Sequence, residues 1–199
     1  MARGPATHLP QRPSRVPVPL YIAALTSRTV RTAAEIGDGL MPVFWSPARV
    51  QRSLQWCARG RDKAGQTRQL DVTLGIPTFI GEDLEKQRSI ARQNLALYTY
   101  FPFFQRLFRA SGFATEAEQM ENGAGAAALS DDLLDSFSLI GPFQRCERKL
   151  DEFREAGVDL PILMPPIGVE GARAVIEVFS ADAAGVRGAP LPSPERTAV

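Results

Sequence analysis

Residues 17–45, Pro-Val-Pro-Leu-Tyr-Ile-Ala-Ala-Leu-Thr-Ser-Arg-Thr-Val-Arg-Thr-Ala-Ala-Glu-Ile-Gly-Asp-Gly-Leu-Met-Pro-Val-Phe-Trp, decide how this chain folds. They read as strand, polar turn, helix, glycine stop and second strand. The apolar run Leu20–Leu25 is rich in β-formers and stops at Thr26-Ser27, after which Val30, Ala33, Ala34 and Gly37 recur at helical spacing. Thr26 is a favoured N-cap type, and Gly37 and Gly39 supply the stop. Leu40–Trp45 is a second apolar run, and Ser46-Pro47 opens a further helix with the residues preferred at N-cap and N1. The pattern is a βα unit feeding another strand.

Working outward, the helix opened by Ser46-Pro47 sets Val50, Leu54, Cys57 and Ala58 on one face and leads into the basic segment 59–65, expected as a solvated loop. Leu70–Ile80 is a third strand region, with Gly75 and Pro77 expected to mark an irregular end. Glu82 and Asp83 suit the positive end of the next helix. That helix runs into Tyr98, Tyr100, Phe101, Phe103, Phe104 and Phe108, and Pro102 should kink or restart it. Aromatics at this mixed spacing read as core or subunit interface. Residues 111–129 are low in complexity and read as a surface excursion. Ser130 caps a short helix with Leu133, Leu134 and Phe137 inward, and Gly141-Pro142 starts another with the stripe Phe143, Cys146, Leu150 and Phe153. Leu160–Met164 is an almost wholly apolar strand of the kind buried in a parallel sheet, followed by a last helix with Ala172, Val175, Ile176 and Phe179 on one face. Four strands alternating with helices argue an α/β protein with a parallel sheet and right-handed crossovers.

The chain has 199 residues, 44% of them hydrophobic, which suffices for one domain with a sizeable core but is short for a complete (β/α)8 barrel of about 250 residues. A net charge of +1 gives no electrostatic case for nucleic acid or an anionic membrane. Cys57 and Cys146 fall on apolar helix faces without metal-ligand spacing, so no metal site is expected and a reducing cytoplasm is the default. The only histidine, His8, lies in a proline-rich leader, which removes Ser/His/Asp hydrolysis and most zinc chemistry from the core. Residues 1–16 are expected as a disordered leader, 17–180 as the folded unit and 181–199 as a disordered tail. No dinucleotide fingerprint, P-loop or nucleophile elbow occurs.

Two stretches carry a family resemblance. Tyr21-Ile-Ala-Ala-Leu25, with its polar turn, Arg-bearing helix and Ala34-Glu-Ile-Gly-Asp-Gly39, resembles the fifth βα unit of the luciferase-like monooxygenase family, especially its coenzyme F420-dependent branch. Asp159-Leu-Pro-Ile-Leu-Met-Pro-Pro166 resembles that family's eighth strand. The resemblance covers residues 17–179 and implies a partial TIM (β/α)8 barrel holding the last four βα units with parallel strands. It further implies an oxidoreductase that uses coenzyme F420 or FMN for hydride transfer or monooxygenation of a small organic substrate.

Ligands of such barrels bind at the C-terminal ends of the strands, which points to Ala23, Ala24, Leu25, Thr26 and Ser27 as the cofactor-binding turn. Ala23 and Ala24 are small enough for a ring to approach the backbone, and Thr26 and Ser27 can donate to a phosphate at a helix N-terminus. The resemblance adds that this loop contacts the cofactor's phosphate or ribityl chain. Many members carry Gly-Pro-Lys where this chain has Thr26-Ser27-Arg28, so the charge is kept and the glycine is lost. Thr26 reads equally as a plain helix cap. Trp45, Ser46, Gly75, Pro77, Thr78, Met164, Pro165 and Pro166 share the same end of the sheet, whereas Asp38 sits at the opposite end in a turn role.

No catalytic residue can be named, because the family's ring-facing residues come mostly from its first four strands. A half-barrel exposes two sheet edges, so a homo-oligomer, a complementary half-barrel or a truncated product is expected. The alternative is a non-catalytic interaction protein or inactive fragment. A self-contained flavodoxin-like sheet is weaker, since that fold brings five strands together.

Overall fold

The computed structural model describes residues 18–185, with side chains described through Ser180. The leader and most of the expected tail lie outside the described residues.

The quoted stretch folds as expected, with shorter strands. Tyr21–Ile22 form β1 and Ser27–Ile36 form α1. Thr26 caps α1 in a capping box: its Oγ1 accepts from Thr29 N, and Thr26 N donates to Thr29 Oγ1 at 3.1 Å. Gly39–Leu40 form β2, parallel to β1, and Pro47–Ala64 form α2, capped by Ser46. The basic segment expected as a loop is the last turn and a half of α2, ended by Gly65 in the left-handed region at φ 63°. Arg61 explains the difference. Its guanidinium donates to the carbonyls of Ala34, Gly37, Arg68 and Gln69, so this charge ties the end of α1 to the approach to the next strand. Asp38 has the expected turn role, accepting from Leu20 N at 2.8 Å and pairing with Arg68 at 3.1 Å.

The spine of the sheet is β3 (Asp71–Ile80), parallel to β2 on one side. It pairs with two further strands. Thr73–Pro77 match β5 (Leu160–Met164), and Thr78–Ile80 match β4 (Leu139–Gly141), a strand absent from the sequence reading. The expected irregularity at Gly75 and Pro77 does not occur. Pro77, which has no N–H to give, falls between the Val43–Gly75 bridge and the first β4 pair at Thr78, so the ladder loses little there. Residues 72–79 are all buried, as a strand covered on both faces requires.

Between β3 and β4 runs a helical excursion: α3 (Leu84–Leu95), a 3-10 turn over Ala96–Tyr100, α4 (Pro102–Ala110), α5 (Ala114–Glu121), a second 3-10 turn and α6 (Asp131–Phe137). Pro102 restarts the helix as its position predicts, at N1 of α4. Residues 111–129 are not a surface excursion, because Ala117, Met120, Ala128 and Leu129 are buried. Small side chains there let the segment close on Phe104, Phe108 and Phe137 in one core. Two helices complete the chain, α7 (Phe143–Glu155) before β5 and α8 (Val169–Gly185) after it, the latter running past Ser180 where composition placed a tail. Strands β1, β2, β3 and β5 thus lie side by side in chain order, all parallel, with helices following them: half of a (β/α)8 architecture. Among the described residues, no helix is long and apolar enough to cross a membrane.

Candidate active site

A cavity of about 610 Å³ opens at the C-terminal ends of β1, β2, β3 and β5. Its floor is small: Ala23 and Ala24 follow β1, and Gly75 lies mid-way along β3. A Cβ on Gly75 would stand 2.8 Å from Met164 Sδ and 2.9 Å from Val43 Cγ1, so glycine keeps this part of the floor open. Met41, Pro42 and Val43 form one wall, Ile162 and Met164 the other, and Phe103 and Phe104 of α4 reach in from the excursion. Leu25, Thr26 and Thr29 complete the rim at the start of α1. Among the described residues, no charged side chain lines this cavity.

The turn after β2 is shaped by Phe44, whose φ of 56° lies in the left-handed region that costs a non-glycine residue roughly 1–3 kcal/mol. The turn sends residues 41–43 to the cavity and Phe44 into the core. There its ring meets Tyr98 at 4.7 Å, Phe104 at 4.9 Å and Phe137 at 5.3 Å. Of the aromatic run, Phe104, Phe108 and the partly buried Tyr98 belong to the core, Tyr100, Phe101 and Phe103 are exposed, and Phe103 and Phe104 line the cavity.

Four of the five residues expected at the cofactor turn, Ala23, Ala24, Leu25 and Thr26, line this cavity. Ser27 does not; it faces a second recess on the other flank of the turn. Thr26 is the helix cap, with its hydroxyl 2.9 Å from that of Thr29. The cap takes the Thr29 N–H, and Val30 N donates to Thr26 O at 2.8 Å, which leaves the Ser27 and Arg28 N–H groups for a ligand or water. Gly75 and Met164 also reach the cavity. Trp45 and Thr78 do not: Trp45 is buried in the core, and the buried Thr78 hydroxyl donates to Ile76 O at 2.9 Å. Sequence reasoning missed Thr29, Met41, Pro42, Val43 and Ile162 as lining residues, and read Phe103 and Phe104 as core or subunit interface. Thr29 was the findable one, since a residue three after a cap shares its helix face. Among the described residues, no group of three or more His, Cys, Asp or Glu could hold a metal ion.

Comparison with known proteins places this geometry. The family model of the luciferase-like monooxygenases matches residues 2–160. The chain belongs to this family. Among curated relatives, the 5,10-methylenetetrahydromethanopterin reductase of Archaeoglobus fulgidus is 24% identical over 171 residues, covering 79% of this chain and 51% of the relative. That of Methanolobus tindarius is 24% identical over 168 residues, with the same shares. The chain thus spans about half the length of these relatives. Among solved structures, the coenzyme F420-dependent tetrahydromethanopterin reductase of Methanopyrus kandleri aligns with a TM-score of 0.63 at 22% identity, over 81% of this chain and 49% of that one. An F420-dependent secondary alcohol dehydrogenase aligns with a TM-score of 0.57 at 17% identity, over 75% and 43%. These structural likenesses carry the barrel fold and confirm the half-barrel reading of the sheet.

Proposed function

We propose that this chain supplies the cofactor-holding half of a luciferase-like oxidoreductase site that takes coenzyme F420 or FMN. The observation that carries the reading is an uncharged, largely apolar cavity at the C-terminal ends of four parallel strands, with the N-terminus of α1 on its rim. Ala23, Ala24 and Gly75 leave room for a flat ring against the backbone, and Val43, Ile162 and Met164 give it apolar faces. Thr26, Thr29 and the free N–H groups of Ser27 and Arg28 suit a phosphate at the end of the helix dipole. The residues present therefore fit such a group.

When bound, the cofactor supplies the hydride or oxygen chemistry itself. This chain's residues orient the ring, exclude water from its apolar faces and fix the phosphate end. Among the described residues no titratable side chain lines the cavity, so proton handling in the complete reaction falls to other groups. The same observation favours a second reading, a protein that binds the cofactor without turning it over. The finer assignments, hydride transfer from F420 to a small organic substrate or flavin-dependent monooxygenation, stay part of this proposal, as does pairing with a second copy or a complementary half-barrel.

Fluorescence titration of the purified chain with F420 and with FMN tests the reading. Saturable quenching with one of them supports it, and flat titrations with both overturn it. Turnover after addition of a reductant and substrate separates the enzyme from the binding protein.

A further inference from the structure

On the other flank of the Leu25–Ser27 turn lies a cleft of about 430 Å³ between the start of α1, α2 and α4. Among the described residues its charged lining is three arginines, Arg49, Arg52 and Arg106, with no aspartate or glutamate. Arg49 is unusual. It is only 7% exposed, yet among the described residues it has no carboxylate partner, its Nε has no hydrogen-bond partner, and its one side-chain bond is from Nη2 to Leu25 O at 2.9 Å. Its guanidinium carbon lies 5.0 Å from the Trp56 ring and 5.9 Å from the Trp45 ring, so aromatic faces hold the cation where an acid would ordinarily be. Arg52 reaches one acceptor, Ala110 O, at 3.4 Å, and neither Arg52 nor Arg106 forms an ion pair among the described residues. Burial and the neighbouring Arg52 charge both push the Arg49 pKa down, the signature of a cation without compensation.

A guanidinium this buried and unpaired is costly to keep. The cost makes sense where a ligand supplies the missing charge. We propose that this arginine cleft is an anion-binding site for a phosphate-class dianion, separate from the strand-end cavity. The donors the cleft has to itself are guanidinium forks and the Ser27 hydroxyl, a set rich in donors that suits a tetrahedral oxyanion with several acceptor oxygens. The cleft and the cavity share Leu25, Thr26 and Phe103, so the capped turn is the partition between them. This inference stands on the cleft alone and does not require that a cofactor bind next door.

The test uses the full chain with inorganic phosphate and pyrophosphate at constant ionic strength, read by tryptophan fluorescence and by Tm. Saturable signals are expected, with pyrophosphate the tighter ligand. Arg52→Ala/Arg106→Ala, two substitutions at exposed positions, should weaken both at least tenfold while the Tm without ligand holds, and Arg49→Lys should weaken them without loss of fold. A parallel FMN titration locates the site. Loss of phosphate binding in the double variant with FMN binding unaltered, or absent in both proteins, supports a separate anion site. A non-saturating response, or one equal in wild type and double variant, shows an adventitious ion only and overturns it. Displacement of FMN by phosphate would overturn it too, by making the cleft the cofactor's own phosphate pocket.

Discussion

Arg88 and Arg49 are both guanidiniums drawn into the protein, and their surroundings are opposite. Arg88, on α3, meets Glu85 at 2.9 Å, Asp131 at 3.0 Å and Asp135 at 2.6 Å; Arg145 also reaches Asp135 at 2.9 Å, and Arg92 pairs with Asp131. Arg88 Nε lacks a hydrogen-bond partner just as Arg49 Nε does, but every charge there has a carboxylate or guanidinium partner, and the network clamps the helical excursion and the start of α7 to α3. Arg49, on α2, has aromatic faces and a single carbonyl. One cluster is finished by the fold, and the other is finished only by something that binds. The difference separates a structural use of arginine from a functional one, although both look alike in composition.

The comparison breaks most visibly at Asp135. Asp135→Ala leaves Arg145 without an acid and Arg88 with only Glu85 and Asp131, and should cost about 2 kcal/mol, less than for a fully buried pair because Asp135 and Arg145 are partly exposed. Urea unfolding measures it, and a loss below about 1 kcal/mol would mean the network is ornamental. Thr26→Ala removes the cap on the partition between cavity and cleft and should cost roughly 1 kcal/mol. Arg49→Met should change stability by less than about 1 kcal/mol in the absence of ligand, since an apolar side chain replaces an uncompensated charge. A loss as large as that of Asp135→Ala would erase the contrast.

Each region also carries a buried thiol, and these give the smallest effect. Burial pushes Cys57, on α2, up to about 11 and Cys146, on α7, up to about 12. A thiol raised above its unfolded value favours the folded state's neutral form, so its contribution is intact below about pH 8.5 and is lost as pH rises towards these values. Stability should fall from about pH 9 upwards, and Cys57→Ala/Cys146→Ala should flatten that fall. Neither thiol should alkylate at pH 8 without prior unfolding.

What the sequence showed and hid follows the same division between local and assembled features. Thr26, Ser46 and Pro102 announce helix starts because capping and the proline ring act within a few residues. The half-barrel order was legible for the same reason, strand after helix along the chain. Strand β4 was not, because Leu139–Gly141 are three residues that become a strand only against the far end of β3. Residues 111–129 looked like solvent-facing linker because alanine is small and common in loops, while Ala117 and Ala128 are buried for the same smallness. At the site, reading the turn as a linear string put Ser27 beside Thr26. Helical rotation instead puts Thr29 there and turns Ser27 to the arginines. Arg49 carried no signal, since what sets it apart is the absence of an acid in three dimensions.

The most direct test compares two variants in one cofactor titration. Gly75→Leu fills the floor between Val43 and Met164, and Arg52→Ala/Arg106→Ala empties the cleft across the turn. With F420 or FMN, whichever the wild-type chain binds, Gly75→Leu should lose at least tenfold in affinity and the arginine variant should stay within twofold. If Gly75→Leu, shown folded by its circular dichroism, binds as well as wild type, the ring does not sit at the strand ends and the strand-end cavity is not the site.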